Sequence, residues 1–267
     1  MDVVRPNDLA EALSALAEHP EAVPLAGGTD LMVEVNFGYV RPESIVMIRR
    51  LAELQQTSSS RIGAGVTFRE LEASQHQALA QLARTIGSPQ IRAAGTIGGN
   101  VATASPAGDS LPFLAALDAG IELSSDSGVR TMPWDEFFVG VKRTAKRPEE
   151  LITAVVLPEE MPERQEFAKI GQRSAMVISM VAASVLRWGD GRIRVGLGSV
   201  GPTPVRARTA EEMISAEPNP SEAALNEFAR LVSQDISPIT DHRGTAAYRR
   251  HASGVLARRL LERCLAA

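Results

Sequence analysis

Cysteine is almost missing from this chain of 267 residues, which contains only Cys264. A single thiol forms no internal disulfide, and without a cysteine cluster there are no thiolates to hold zinc or an iron–sulfur centre. The four histidines, His19, His76, His242 and His251, are scattered and show no H-E-x-x-H or related metal spacing. Any redox chemistry therefore needs an organic cofactor, and any metal centre belongs to a partner. Basic excess is missing too. Lys and Arg number 28 against 32 Asp and Glu, a net charge of −4, so the footprint of a nucleic-acid binder is not there. No basic segment followed by an apolar run opens the chain, so we expect a cytoplasmic protein without a secretory signal. The longest near-apolar run, "AMVISMVAASVL" (Ala175 to Leu186), is too short to span a bilayer and reads as buried strand.

What is present suits a folded protein. The chain is 44% hydrophobic and 22% charged, enough apolar material for a substantial core in one large domain or two modest ones. Leu9, Ala12, Leu13 and Leu16 recur at helical spacing, with Asn7 placed to cap. "VPLA" and "SIVMI" read as strands, with a helical or looped piece between them, and "RIGAGV" as another. Thr67 to Glu70 carries a capping-box signature, and helices are expected over "QALAQLARTIG" and "SLPFLAALDAG". "GIELSS" and "VRTMPW" flank Asp126-Ser-Gly128 as a hairpin. Beyond about residue 160 the texture changes to strand, Pro- and Glu-rich connector, a second hairpin at Gly189-Asp-Gly191, then three helices ending in a long one over roughly Thr245 to Leu265. Two α+β domains are the economical reading.

Two glycine pairs stand out. "PLAGGTDL" (Pro24 to Leu31) and "AGTIGGNVATASPAGD" (Ala94 to Asp109) each run from an apolar residue into Gly-Gly and then a polar one. Neither fits the G-x-G-x-x-G or the G-x-x-x-x-G-K-[ST] pattern. Paired glycines still let backbone N–H groups converge on an anion and let a ligand approach closely. Thr29 and Asp30 could open a helix whose amides add positive potential. Taken alone, a glycine pair is usually a turn, Asp109 is as readily the cap of the following helix, Lys169 on a strand reads as a solvated charge, and His76 is expected at the surface.

The motifs together are more specific. "AGGTDL", "TIGGN", "ASPAGD", "PEELITAVVLP", "FAKIGQRSAM" and the tail "DHRGTAAYRRHASGVLARRLL" occur in the order in which they resemble the flavin-binding subunit of the molybdenum hydroxylases. That family includes xanthine and CO dehydrogenases. The resemblance spans nearly the whole chain. It implies an FAD-binding domain of the vanillyl-alcohol-oxidase (PCMH) type over 1–160, in two subdomains of about 1–55 and 56–160, followed by an α+β C-terminal domain over 161–267. By motif, Pro24, Leu25, Ala26, Gly27, Gly28, Thr29, Asp30 and Leu31 would line the pyrophosphate and ribityl region. Thr96, Ile97, Gly98, Gly99 and Asn100 would form an opposing loop. Asp109 would contact the adenosine side, and Leu151 and Lys169 would lie near the ring. Ile86 stands where relatives often carry an aromatic, and Phe167 where some carry Tyr. Arg243, Tyr248 and Arg249 would make domain or subunit contacts. The implied partners are a molybdopterin-binding large subunit and a 2Fe-2S small subunit, in a dimer of heterotrimers. Electrons would pass from the clusters through this flavin to NAD+, a quinone or oxygen. A self-sufficient flavin oxidase or reductase and a non-redox nucleotide-binding module are the competing readings.

Overall fold

In the computed structural model, which describes residues 1–266, the chain starts with a small parallel sheet. Its elements are β1 (Asp2–Val4), α1 (Leu9–Glu18), β2 (Val23–Leu25), α2 (Leu31–Asn36) and β3 (Ser44–Met47), with β3 paired in parallel to both other strands. Ala12, Leu13, Ala15 and Leu16 give α1 one buried face, which packs with Val46, Ile48, Leu51 and Leu54. The cap of α1 is Asp8, not the expected Asn7: the Asp8 carboxylate accepts from the Glu11 amide at 2.9 Å. Asn7 instead donates through its backbone and side-chain N–H groups to the Glu11 carboxylate.

The next stretch builds an antiparallel sheet with helices on it. β4 (Arg61–Gly63) leads through α3 (Phe68–Leu71), α4 (Gln77–Thr85), α5 (Pro89–Ala94), α6 (Ile97–Thr103) and α7 (Leu111–Leu117). Then come β5 (Gly120–Ser125), β6 (Gly128–Pro133), α8 (Trp134–Phe137), the short pair β7 (Phe138–Gly140) and β8 (Arg143–Thr144), and β9 (Leu151–Val156). The strand order is β4-β9-β5-β6. The hairpin between β5 and β6 closes at the Ser125–Gly128 pair, where Gly128 has φ +134°, a conformation side chains disfavour. The Thr67–Glu70 capping box forms in both directions and starts α3.

The last part is a four-stranded antiparallel sheet, β10 (Arg164–Ile170), β11 (Val181–Arg187), β12 (Ile193–Gly198) and β13 (Val205–Arg206), with α9 (Arg208–Ser215), α10 (Glu222–Gln234) and α11 (Ala246–Ala266). Both faces of this sheet are covered. Val181, Ala183 and Val185 point to the core shared with α9, α10 and α11, while Ala182 and Leu186 point to the core of the preceding part. A strand buried on both faces needs apolar residues without alternation, which is why the sequence from Val181 to Leu186 is apolar at every position but Ser184, whose hydroxyl donates to the Glu166 carbonyl. The expected strand is shorter than the apolar run, however. Ala175 to Ser179 is irregular, with Met176 and Ile178 about half exposed.

α7 is the keystone between the two parts. All seven of its residues are buried, and it packs on β11 and β12. A Cβ added at Gly196 would stand 1.8 Å from the Pro112 carbonyl oxygen, so β12 accepts the helix only because that position is glycine.

Candidate functional site

β2 delivers the first glycine segment to the edge of the parallel sheet. Pro24 and Leu25 pair with Val46 and Met47, and the chain leaves the ladder at Ala26, which packs on the α1 core. Gly27 and Gly28 are glycines for different reasons. A Cβ at Gly27 would lie 1.8 Å from the Ala94 carbonyl oxygen, whereas Gly28 adopts φ +69°. The resulting turn leaves the amides of Gly27, Gly28, Thr29 and Asp30 without an acceptor among the described residues. Gly27, Gly28 and Thr29 are half-buried, where a backbone N–H ordinarily finds a partner. Four consecutive free donors at the start of α2 are the kind of backbone group an anion-binding cradle uses. Leu31 is the first residue of α2, and Asp30 precedes it without making a side-chain cap.

The second segment lies directly beside it. Gly27 abuts Ala94 at the end of α5, and the Thr103 hydroxyl sits 3.0 Å from the Gly99 carbonyl and 3.2 Å from the Asp30 carboxylate. Residues 96–100 are not the loop expected but the cap and first residues of α6; the cap is Thr96, whose hydroxyl accepts from the Gly99 amide at 3.0 Å. The other early amides of α6 are also taken: Ile97 donates to Val66, Gly98 to Ala64 and Asn100 to Thr96. This wall therefore supplies no free backbone donors. Gly98 is glycine because the helix lies on Ala64, whose carbonyl oxygen would be 2.7 Å from an added Cβ. Gly99 is the less crowded position, where a Cβ would meet Thr96 Oγ1 at 3.1 Å and no backbone atom of another segment. Ile97 is wholly buried, and Asn100 accepts from the Ser110 hydroxyl at 2.6 Å, which orients its amide nitrogen outward from that contact.

Asp109 does not cap α7; Ser110 holds that position, without a side-chain bond. The Asp109 carboxylate turns instead toward the C-terminal sheet, where it accepts from Lys169 Nζ at 2.6 Å and from the Ser179 hydroxyl. Both charged side chains are 8% exposed, so Lys169 on β10 is not the solvated charge that its strand position alone suggests. Burial pushes the Asp109 carboxyl above the usual carboxylate range, against the pull of Lys169 and Ser179. Lys169 Nζ also donates to the Val177 carbonyl at 3.2 Å. Behind this pair, Arg249 of α11 is buried and donates to the carbonyls of Met180 and Ser199 and to Asp241, while the Ser199 hydroxyl donates to the Ser179 carbonyl. Arg249, expected at a domain or subunit contact, thus finds its partners within the C-terminal part, and nothing in the sequence signalled the chain that leads from it to Asp109.

Ile86 follows α4 and packs on the central core, its carbonyl accepting from Arg92 at 3.2 Å. Leu151 starts β9 and is buried in the α1 core together with Ala26, behind the first glycine segment. Phe167 is buried in the central core. His76, expected at the surface, is 9% exposed, and burial lowers its pKa. Cys264 is buried on α11, and burial pushes its thiol up to about 12, which leaves it inert.

This arrangement, paired glycine segments on an α+β frame with a second α+β domain sealed against them, can be set beside known proteins. Residues 1–160 match the family described as the FAD-binding domain in molybdopterin dehydrogenase, and residues 166–264 match the CO dehydrogenase flavoprotein C-terminal domain. The chain belongs to this family of FAD-binding subunits. It is 32% identical to the xanthine dehydrogenase FAD-binding subunit of Escherichia coli O157:H7, over 98% of this chain and 95% of that one. It is equally 32% identical to the carbon monoxide dehydrogenase medium chain of Afipia carboxidovorans, over 99% and 96%. The structure of Hydrogenophaga pseudoflava carbon monoxide dehydrogenase lacking the Mo-pyranopterin moiety superposes with a TM-score of 0.91 at 28% identity, covering 100% of this chain and 97% of that one. The protein is thus the flavoprotein component of an oxidoreductase, with FAD as its cofactor. FAD suits the residues present: free amides at 27–30 match a diphosphate, and Gly99 leaves the facing wall bare. Among the described residues no helix is long and apolar enough to cross a membrane.

Proposed function

We propose that this chain is the electron-transferring subunit of a molybdenum hydroxylase complex. It takes electrons from the iron–sulfur clusters of a small partner and passes them to NAD+, a quinone or oxygen. The observation that carries the cofactor half is the row of amides from Gly27 to Asp30 without an acceptor among the described residues, beside the helix that carries Gly99. In this reading those amides bind the diphosphate, with Ala26 and Leu31 at the edges of the cradle and Pro24 and Leu25 holding it on the sheet. Gly99 admits the diphosphate, Thr96, Ile97 and Gly98 fix the helix that presents Gly99, and the Asn100 amide donates to the cofactor. Asp109 and Lys169 form the wall contributed by both domains, and Ile86 and Leu151 support the ring end. Bound FAD supplies two-electron acceptance coupled to one-electron steps, and the protein supplies position and charge.

The equal similarity to a xanthine and a carbon monoxide dehydrogenase subunit supports a role common to both, separate from any one substrate. The substrate then reacts on a molybdopterin-binding large subunit, and the assembly is a cytoplasmic dimer of heterotrimers. The division into 1–160, with subdomains of about 1–55 and 56–160, and 161–267 belongs to the same reading. An anaerobic mixing experiment tests it. Substrate added to the assembled complex should bleach the iron–sulfur absorbance and then the flavin, while the FAD-loaded chain alone stays oxidised. Direct reduction of the lone chain by an organic substrate of the complex would establish a self-sufficient oxidase or reductase instead.

A further inference from the structure

The tip of the β7–β8 hairpin touches both α2 and α6, the helices on either side of the proposed flavin site. Lys142, between the two strands, donates its backbone N–H to the Ala104 carbonyl at 3.0 Å, where α6 ends, and its Nζ to the Glu34 carboxylate of α2. One more contact spans the same gap, the Thr103 hydroxyl of α6 donating to Asp30 at 3.2 Å. Core packing gives no reason for a lysine here, since its side chain is 50% exposed. The backbone is held in an uncommon state as well. Lys142 has φ +52° and its partner Ala104 has φ +45°, left-handed conformations that side chains disfavour. Such conformations persist where the surrounding structure imposes them, and they gather around ligand clamps.

Charge gives the lysine a task. Asp30 precedes α2 and Glu34 stands in its first turn, so two carboxylates lie close to the free amides at 27–30. At a helix start carboxylates suit the positive end of the dipole, but beside a bound diphosphate they repel it. The hydrogen bond to Glu34, with the charges of Asp30 and Glu34, raises the Lys142 pKa against desolvation and keeps the group a cation. We propose that Lys142 is a positioning residue for the flavin: its ammonium neutralises the carboxylates of α2 so that the diphosphate settles on the amides of Gly27 to Asp30, while its backbone ties that side of the site to α6. The inference rests on the flavin reading above. A mere tether between α2 and α6 is the competing role, and the two differ in how they respond to loss of Glu34. Removing Glu34 breaks a tether, whereas it relieves a repulsion.

Titration of FAD into the flavin-stripped full chain, with circular dichroism to check folding, tests this without turnover. Lys142→Met should weaken FAD binding about tenfold or more, and the loss should shrink as salt is raised. Lys142→Arg should bind FAD like the parent protein. Glu34→Gln alone should bind at least as tightly as the parent, and added to Lys142→Met it should recover most of the lost affinity. Equal affinity in Lys142→Met and parent would overturn the proposal. So would a Glu34→Gln variant that binds FAD more weakly than the parent, the mark of a tether alone, and this comparison decides even where Lys142→Met fails to fold. A parent chain that takes up no FAD at all would instead overturn the flavin reading, and this proposal with it.

Discussion

Gly98 and Gly99 are neighbours with opposite tasks. Gly98 lets α6 lie on Ala64, and Gly99 keeps a wall bare. Gly98→Val therefore forces side-chain atoms into the Ala64 backbone and should destabilise the protein by about 1–3 kcal/mol or more, read as a lower denaturation midpoint. Gly99→Val should keep the fold and lose the flavin, read as a normal circular dichroism spectrum with little bound FAD. Full FAD content in folded Gly99→Val would remove Gly99 from the cofactor wall. At Lys169, substitution by Met strips the buried Asp109 of its counter-ion, a change that costs about 3–5 kcal/mol when a buried pair is broken. Asp109 already titrates above its ordinary value because of burial, and without Lys169 it climbs further. An acid whose folded pKa is raised is most compatible with the fold below its unfolded pKa and loses that advantage as pH rises. Denaturation midpoints of Lys169→Met should thus fall further behind the parent protein as pH rises above the ordinary carboxylate range. A constant gap over that rise would contradict the pairing.

Among the elements, the turn that leads into α11 carries the clearest acid dependence. Burial raises the Asp241 pKa, but the amides of Arg243 and Gly244 and the Arg249 guanidinium outweigh it and hold the group at about 2, below its ordinary 3.8. A depressed carboxyl contributes stability above its unfolded pKa and loses it as pH falls toward the folded one, so the contribution should vanish between about pH 4 and 2. Asp241→Asn should be less stable at pH 7 and show a shallower acid limb in that window, followed by circular dichroism. Identical acid limbs would show that Arg249 is anchored without Asp241. The same scale shows what the sequence made legible. The capping box at Thr67, the hairpin at Gly128 and the strand from Val181 are local signals, written in adjacent side chains. α6 was hidden because two successive glycines disfavour a helix by about 1 kcal/mol each, a preference that packing on Ala64 overrides. The burial of His76 and the pairing of Asp109 with Lys169 join residues far apart in sequence, and neither carries a local signature.

For the whole molecule, the boundary between domains behaves like a core. α7 is buried on one face of the C-terminal sheet, and the Asp109–Lys169 pair crosses from one part to the other close to the second glycine segment. The proposed flavin site, with the amides of Gly27 to Asp30 on one side and α6 on the other, thus lies close to a wall that both parts build. The most direct measurement is the absorbance spectrum of the purified chain, followed by chromatography of what acid precipitation releases. The account predicts oxidised-flavin bands and free FAD in the supernatant, close to one per chain. A colourless protein that takes up no added FAD, or flavin that stays with the precipitate, would contradict it.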